Sequence, residues 1–215
     1  MSGRACWDDI LRLVPEAIPL PPDRRDEVID VFADAFHDYS LMQWVVGPEG
    51  DVAGRVRRLI AFFVSRRVMR GGPMLGVVEG NHLVGAAALT LPSEPAPPPG
   101  ITTLDVDVWR DLGEPARMRY QAYSDTTSPF FRSVGPHHHL NMIGIRRSYK
   151  GTGLARPMLD AVHLMSDADP HSTGVSLTTE RSRNVKLYEH FGYSVIAHKR
   201  VSDEVETWGL VRRRS

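Results

Sequence analysis

The amino-acid sequence predicts an α/β domain, and three patterns carry that prediction. Apolar runs of strand length recur at Met74 to Glu79, His82 to Leu91, His137 to Ile145, Gly174 to Thr179, Tyr193 to Val201 and Val205 to Val211. Segments with helical periodicity precede and separate them. Gly151-Thr152-Gly153 joins the run ending at Ile145 to an apolar helical stretch, making a strand-to-helix turn without bulky side chains. At such a turn, backbone N–H groups at a helix N-terminus close around phosphate oxygens, and the helix dipole favours negative charge there. The expected ligand is phosphorylated.

Taken in order, the first helix spans Asp23 to Phe36. It opens on a Pro-Asp signal and places Ile29, Phe32, Ala33 and Phe36 at i, i+3, i+4 and i+7, which buries one side and exposes Arg24, Asp30 and Asp34. A second helix, Val52 to Met69, repeats the pattern with Val52, Val56, Leu59, Ile60 and Phe63, and Gly71-Gly72-Pro73 stops it. Between them, Asp38 to Gly50 holds Tyr39, Met42 and Trp44 without clear periodicity and reads as a loop. Gly80-Asn81 is a turn pair that folds Met74 to Leu91 into a hairpin.

Pro92 to Gly100 carries Pro92, Pro95, Pro97, Pro98 and Pro99, so it can be neither helix nor central strand. It reads as a stiff surface connection, and residues 1–215 are expected to form one domain. Asp105 to Tyr123 reads as a helix with Trp109, Leu112 and Met118 in the core. Leu154 to Met165 and Asn184 to His190 are the helices between the later strands. Pro157 falls in the first turn of the former, where its missing N–H costs few bonds.

Size and composition narrow the partners. A chain of 215 residues can bury a substantial core without staples, and 42% hydrophobic with 24% charged residues is ordinary for a globular protein. The 26 basic and 26 acidic side chains cancel, which points away from nucleic acid or a membrane surface. Arg55-Arg57-Arg58, Arg66-Arg67 and Arg212-Arg213-Arg214 read as solvated faces or a tail. A single cysteine, Cys6, excludes an internal disulfide framework. With no apolar run near the roughly 20 residues a bilayer span needs and no charged-then-apolar leader, a cytoplasmic location is expected.

Spacing decides which phosphate motif is present. A Walker-type loop needs Gly-Lys-Ser/Thr after four intervening residues, and a dinucleotide turn needs a third glycine. Leu154-Ala155-Arg156 follows Gly153 and satisfies neither. Lys150-Gly151-Thr152-Gly153-Leu154-Ala155 instead resembles the Gln/Arg-x-x-Gly-x-Gly/Ala signature of the GNAT acetyltransferase superfamily. Downstream, Asn184-Val185-Lys186-Leu187-Tyr188-Glu189-His190-Phe191-Gly192-Tyr193 resembles the second signature: an Asn, a Tyr four residues on, and an aromatic-Gly-aromatic exit into a strand. The resemblance is greatest to puromycin N-acetyltransferase-like members, through His137, Leu140, Ile143-Gly144-Ile145 and Thr207-Trp208. It is clearest over residues 135–213, with Pro73 to Pro92 matching the central hairpin more loosely.

The resemblance implies the GNAT fold, a mixed, mostly antiparallel central sheet flanked by helices, with splayed central strands. It also implies transfer of the acetyl group of acetyl-coenzyme A to a primary amine, by direct attack in a ternary complex, with no metal. Ile143, Gly144 and Ile145 would offer backbone groups to the pantetheine arm and the thioester oxygen. Lys150, Gly151, Thr152, Gly153, Leu154 and Ala155 would surround the pyrophosphate; Lys150 stands where Gln or Arg is commoner, and Arg147 replaces a common proline. Arg156 reads as an exposed helical side chain near the phosphates. Asn184 would bond the pantetheine arm, or else cap its helix. The segment around Tyr39 would roof the acceptor site.

Amide formation from a thioester needs a neutral amine, stabilisation of an oxyanion and a proton for the thiolate. Tyr188 is the candidate acid, protonated at pH 7 because a phenol titrates near pH ~10, above a thiol at ~8.5. For the base, puromycin-type relatives have a Glu where this chain has Thr178. Glu180, two residues on, returns to the same face if the strand continues. His137 and His139, on one face of their strand with His138 on the other, are its rivals because an imidazole titrates near ~6.5. The three histidines lack the ligand count and spacing of a structural zinc site. The expected acceptor is a small molecule, the charge balance does not favour a polyanionic one, and a peptide or protein amine is an alternative. A coenzyme A-binding sensor without catalysis is the alternative from another class, and a longer acyl donor and a homodimer stay open.

Overall fold

In the computed structural model, which describes residues 9–214, the strand-like runs assemble into one sheet. Its strands are β1 (Ile18–Pro19), β2 (Met74–Glu79), β3 (His82–Thr90), β4 (His138–Ile145), β5 (Gly174–Thr179), β6 (Ser194–Arg200) and β7 (Glu206–Arg213), in the spatial order β1-β2-β3-β4-β5-β7-β6. Every neighbouring pair is antiparallel except β4 and β5. That parallel pair follows from its connection: helix α6 (Ala155–Ala168) carries the chain back across the sheet between them. The other helices are α1 (Arg25–Ala35), α2 (Ser40–Val46), α3 (Val52–Met69), α4 (Ile101–Leu112), α5 (Glu114–Thr127) and α7 (Ser182–His190). Cys6 lies outside the described residues.

Each sheet face buries its own core. Phe32, Leu59, Ile60, Phe62 and Leu112 of the α1–α5 layer pack on Ala86, Ala88 and Met142, while Met158, Leu159, Val162 and Met165 of α6 pack on Ala87, Leu89, Leu140 and Leu177. Met142 and Leu140, two residues apart on one strand, should face the same way. They face opposite cores because β3 pairs Ala88 with Met142 and then Leu89 with Leu140, leaving Asn141 as an extra residue, a β-bulge. The β4–β5 ladder stops there: it joins His138 to Val175, His139 to Ser176 and Leu140 to Leu177 and goes no further. Beyond it, β4 stays with β3 and β5 stays with β7, so the two strands part and leave a wedge in the middle of the sheet.

α3, β2 and β5 have the bounds the sequence predicts. Asp51 caps α3 by accepting from the Gly54 N–H at 3.0 Å. Three expectations need correction. Asp38 to Gly50 is not all loop: α2 buries Leu41, Met42, Val45 and Val46, but its seven residues are too few to show two helical turns. Asp105 to Tyr123 is not one helix: Gly113, at φ +84°, breaks it into α4 and α5, and Met118 is 63% exposed rather than in the core, though Leu112 is buried and Trp109 packs beside it. The arginines are not all solvated faces. Arg55 donates to the carbonyls of Val46 at 2.6 Å and Leu112 at 2.9 Å, closing the C-terminal ends of α2 and α4, and Arg212 forms a two-bond pair with Asp167 at 2.9 Å.

Candidate functional site

The wedge between β4 and β5 opens into a cavity of about 530 Å³ on the α1–α5 side of the sheet. Glu180, Tyr188, Asn184, His137, His139 and Ile143, all singled out from the sequence, line it. Glu180 follows β5 directly, and the expected alternation holds: Thr178 and Glu180 both bond the Tyr123 hydroxyl, at 2.9 Å each. The Glu180 carboxylate also accepts from Tyr39 at 3.0 Å and Thr207 at 2.8 Å, and its own N–H donates to the Tyr39 oxygen at 3.0 Å. Burial raises the Glu180 pKa above the ordinary carboxylate value, and the three hydroxyl donors pull against that rise.

Tyr39, Tyr123 and Thr207 were not identifiable as a set from the sequence. They come from the α1–α2 connection, α5 and β7, and only the tertiary fold gathers them. Tyr39 is itself fixed, with the Arg181 guanidinium 4.8 Å from its ring centre while Arg181 bonds the carbonyl and carboxylate of Asp38.

Tyr188 stands one turn and a half into α7, 8% exposed, its ring edge-on to Tyr193. Its hydroxyl has no hydrogen-bond partner among the described residues, and the residue lines the cavity. Burial, reinforced by the charge on Glu180, pushes its pKa well above the ordinary phenol value, so it keeps its proton at neutral pH. Asn184 is not the helix cap: Arg181 holds that position, and the Asn184 amide donates to Thr179 Oγ1 at 3.2 Å at the end of β5.

The histidines divide as alternation requires. His138 is buried against α6, with Nδ1 3.0 Å from Ser172 Oγ and Nε2 3.8 Å from Asp169, so the three imidazoles do not converge. His137 Nδ1 donates to the Gly135 carbonyl at 2.6 Å. His139 Nδ1 lies 2.7 Å from Ser176 Oγ, and burial, with nearby His137 and Arg67, lowers its pKa to about 4. It is neutral at pH 7 and a weak base.

The glycine turn follows β4 beyond the C-terminal end of the strand, where β4 and β5 have parted. Gly151 and Gly153 sit at φ +83° and +84°, a region L side chains avoid, with open space where a Cβ would be. No side chain caps α6, and among the described residues the N–H groups of Gly151, Gly153, Leu154 and Ala155 find no protein acceptor. Thr152 turns its hydroxyl back to the Tyr149 carbonyl at 2.6 Å. Arg147 anchors the turn to α1, its N–H and Nε donating to Asp34 at 2.6 and 3.1 Å. Arg156 is exposed, with its guanidinium 4.9 Å from the centre of the Phe191 ring.

Between turn and cavity runs the free edge of β4. The Arg146 N–H donates to Val84 of β3, so alternation turns the backbone groups of Gly144 and Met142 to β3 and those of Ile143 and Ile145 into the wedge. Gly144 has a different part: a Cβ there would lie 2.8 Å from the Ala35 Cβ, so its lack of a side chain lets α1 approach the strand. The arrangement can hold an extended molecule whose anionic end meets free N–H groups, whose middle runs along a strand edge, and whose other end reaches a phenol and a carboxylate.

Residues 122–209 match the family model described as an acetyltransferase (GNAT) domain. No curated protein matches the chain in sequence. In structure it is similar to the histone acetyltransferase HPA2 and related acetyltransferase from Corynebacterium glutamicum, at 17% identity and TM-score 0.66, covering 93% of this chain and 96% of that one. It is similar to the C-terminal condensation domain of Ebony in complex with β-alanyl-dopamine, at 14% identity and TM-score 0.66, covering 92% and 98%. It is also similar to the Drosophila melanogaster polyamine N-acetyltransferase that forms N-acetylagmatine, at 13% identity and TM-score 0.61, covering 91% and 97%. The fold is the GNAT fold.

Proposed function

We propose that this chain transfers the acetyl group of acetyl-coenzyme A to a primary amine of a small molecule, by direct attack in a ternary complex. The observation that carries this reading is the wedge, which joins the unpaired N–H groups of the glycine turn to a cavity holding Tyr188 and Glu180. On the pattern of His137, Leu140 and Ile143-Gly144-Ile145, we place the chain nearest the puromycin N-acetyltransferase-like members.

In this reading the backbone N–H groups of residues 151–155 and the Lys150 charge hold the pyrophosphate. The wedge-facing backbone of Ile143 and Ile145, with Asn184, holds the pantetheine arm, and one of those N–H groups polarises the thioester oxygen. Such donors are preorganised by the sheet and cost no rearrangement during reaction. Glu180 removes a proton from the incoming ammonium, directly or through water. It is preferred over His139, because burial lowers the basicity of the imidazole and raises that of the carboxylate. The amine nitrogen bonds to the carbonyl carbon, the carbon–sulfur bond breaks, the sulfur takes a proton from Tyr188, and the second proton shed by the nitrogen restores the phenol through water.

Thiol release from acetyl-coenzyme A, followed across a panel of primary amines, tests the reading. Amine-dependent release, with a product heavier by one acetyl group, is the expected result. Tight binding of acetyl-coenzyme A with no turnover for any amine would favour a sensor instead.

A further inference from the structure

The two ends of the cavity carry opposite charge. At one end is Glu180, its carboxylate held by three hydroxyls. At the other are Arg66 and Arg67, from the last turn of α3, and Arg70, which follows it at the C-cap. These three guanidiniums share two carboxylates: Arg67 and Arg70 both pair with Glu94 of the proline-rich connection, and Arg66 pairs with Asp105 of α4 at 2.7 Å. Among the described residues, one positive charge is left over.

Register separates the ends. Arg67 and the Leu89 carbonyl flank Gly72, both within 3 Å of where its Cβ would be, and the Arg67 charge acts on His139, which pairs with Ser176. Glu180 lies four residues further along, on the order of 13 Å at the rise of a strand. Phe36, Met42, Phe63 and Tyr120 give the cavity apolar and aromatic wall, beside polar side chains such as His139, Asn141, Ser124 and Thr127. The wedge, and with it the thioester, opens at the Glu180 end.

We infer that the acceptor is a primary monoamine on an apolar body with a single anionic group at its far end, and that diamines and polyamines are disfavoured. The inference rests on the acetyltransferase reading of the cavity. An ammonium group beside Glu180 finds a counter-charge; a second one at the far end meets three guanidiniums already short of carboxylate. A carboxylate placed there completes the set.

Three amines of one length and different far ends test this: 8-aminooctanoate, octylamine and 1,8-diaminooctane. The expected order of kcat/KM is aminooctanoate, then octylamine, then diaminooctane, with at least tenfold between first and last. Arg70→Gln should narrow that gap several-fold, and Arg66→Lys, which keeps the charge, should preserve it; circular dichroism checks that both variants fold. Acetylation of any of the three upholds the acetyltransferase reading whatever their order, whereas diaminooctane equal to or better than aminooctanoate overturns the inference. If none is acetylated, calorimetric titration of the coenzyme A-loaded protein decides. Tighter binding of aminooctanoate upholds the inference; equal, reversed or absent binding overturns it.

Discussion

The Tyr123 hydroxyl lies 2.9 Å from Glu180 Oε1, joining residues 57 positions apart at the mouth of a buried wedge. A hydrogen bond to an ionised carboxylate favours the ionised form, so this phenol, with Tyr39 and Thr207, holds down a pKa that burial drives up. Tyr123→Phe should therefore raise the Glu180 pKa further. With Glu180 as base, kcat/KM falls as pH drops through that pKa, so the acidic limb of the pH–rate profile should move to higher pH in Tyr123→Phe. A profile that keeps its position while only its height changes would remove Glu180 as the titrating base.

Tyr188→Phe removes the phenol proposed as the acid while leaving the ring packed on Tyr193. Loss of a positioned acid costs about 10²–10⁴-fold in rate. The expected outcome is a fall of that order in kcat with coenzyme A affinity changed less than threefold, read by thiol release and calorimetry. Equal turnover would show that solvent supplies the proton.

Gly153→Trp should weaken coenzyme A binding by about tenfold or more, equivalent to ~1.4 kcal/mol. The backbone there is at φ +84°, and a bulky side chain beside the unpaired N–H groups would also block their approach to phosphate. Calorimetry on the folded variant measures it, and unchanged affinity would move the pyrophosphate elsewhere.

What the sequence made legible, and what it hid, follows from the range of each interaction. Gly151 and Gly153 stand out in the sequence because backbone freedom is a local property, and Asn184 and Tyr188 because the signature their stretch resembles is a short, local one. Glu180 was readable as a carboxylate one strand period beyond Thr178. Its holders were not, since Tyr39 lies 141 residues away and Thr207 is 27 away on β7. The bulge at Asn141, which ends the β4–β5 ladder and so makes the wedge, leaves no mark on composition; only the pairing of Ala88 and Leu89 across β3 shows it. Arg66 and Arg67 looked like solvent-facing charge because an arginine pattern is the same whether it meets water or a cavity.

Gly144 is a stability test independent of chemistry. A Cβ there would lie 2.8 Å from Ala35 Cβ and 3.3 Å from atoms of Phe32 and Phe36, so the larger side chain of Gly144→Val must push α1 off the sheet. Overpacking of this kind costs ~1–3 kcal/mol, which should appear as a lower denaturation midpoint with little change in the slope. A neutral substitution would mean that α1 slides without loss.

The last prediction concerns pH and stability. His163 on α6 is 8% exposed, with Nε2 3.0 Å from the Tyr193 hydroxyl, and burial, with the nearby Arg212 charge, lowers its pKa to about 4. Unfolded, the imidazole titrates near ~6.5, so between that pH and about 4 the unfolded chain binds the extra proton. Stability contributed by the neutral imidazole is complete above the unfolded value and is lost as pH falls through the window, on the order of 3 kcal/mol in all. Urea unfolding at pH 7.0, 6.0 and 5.0 should show the decline, with a shallower slope in His163→Gln, which keeps a polar group for Tyr193 but cannot titrate. Equal slopes in the two proteins would assign the pH dependence to other groups, His139 first, because its pKa is lowered to the same value by the same cause.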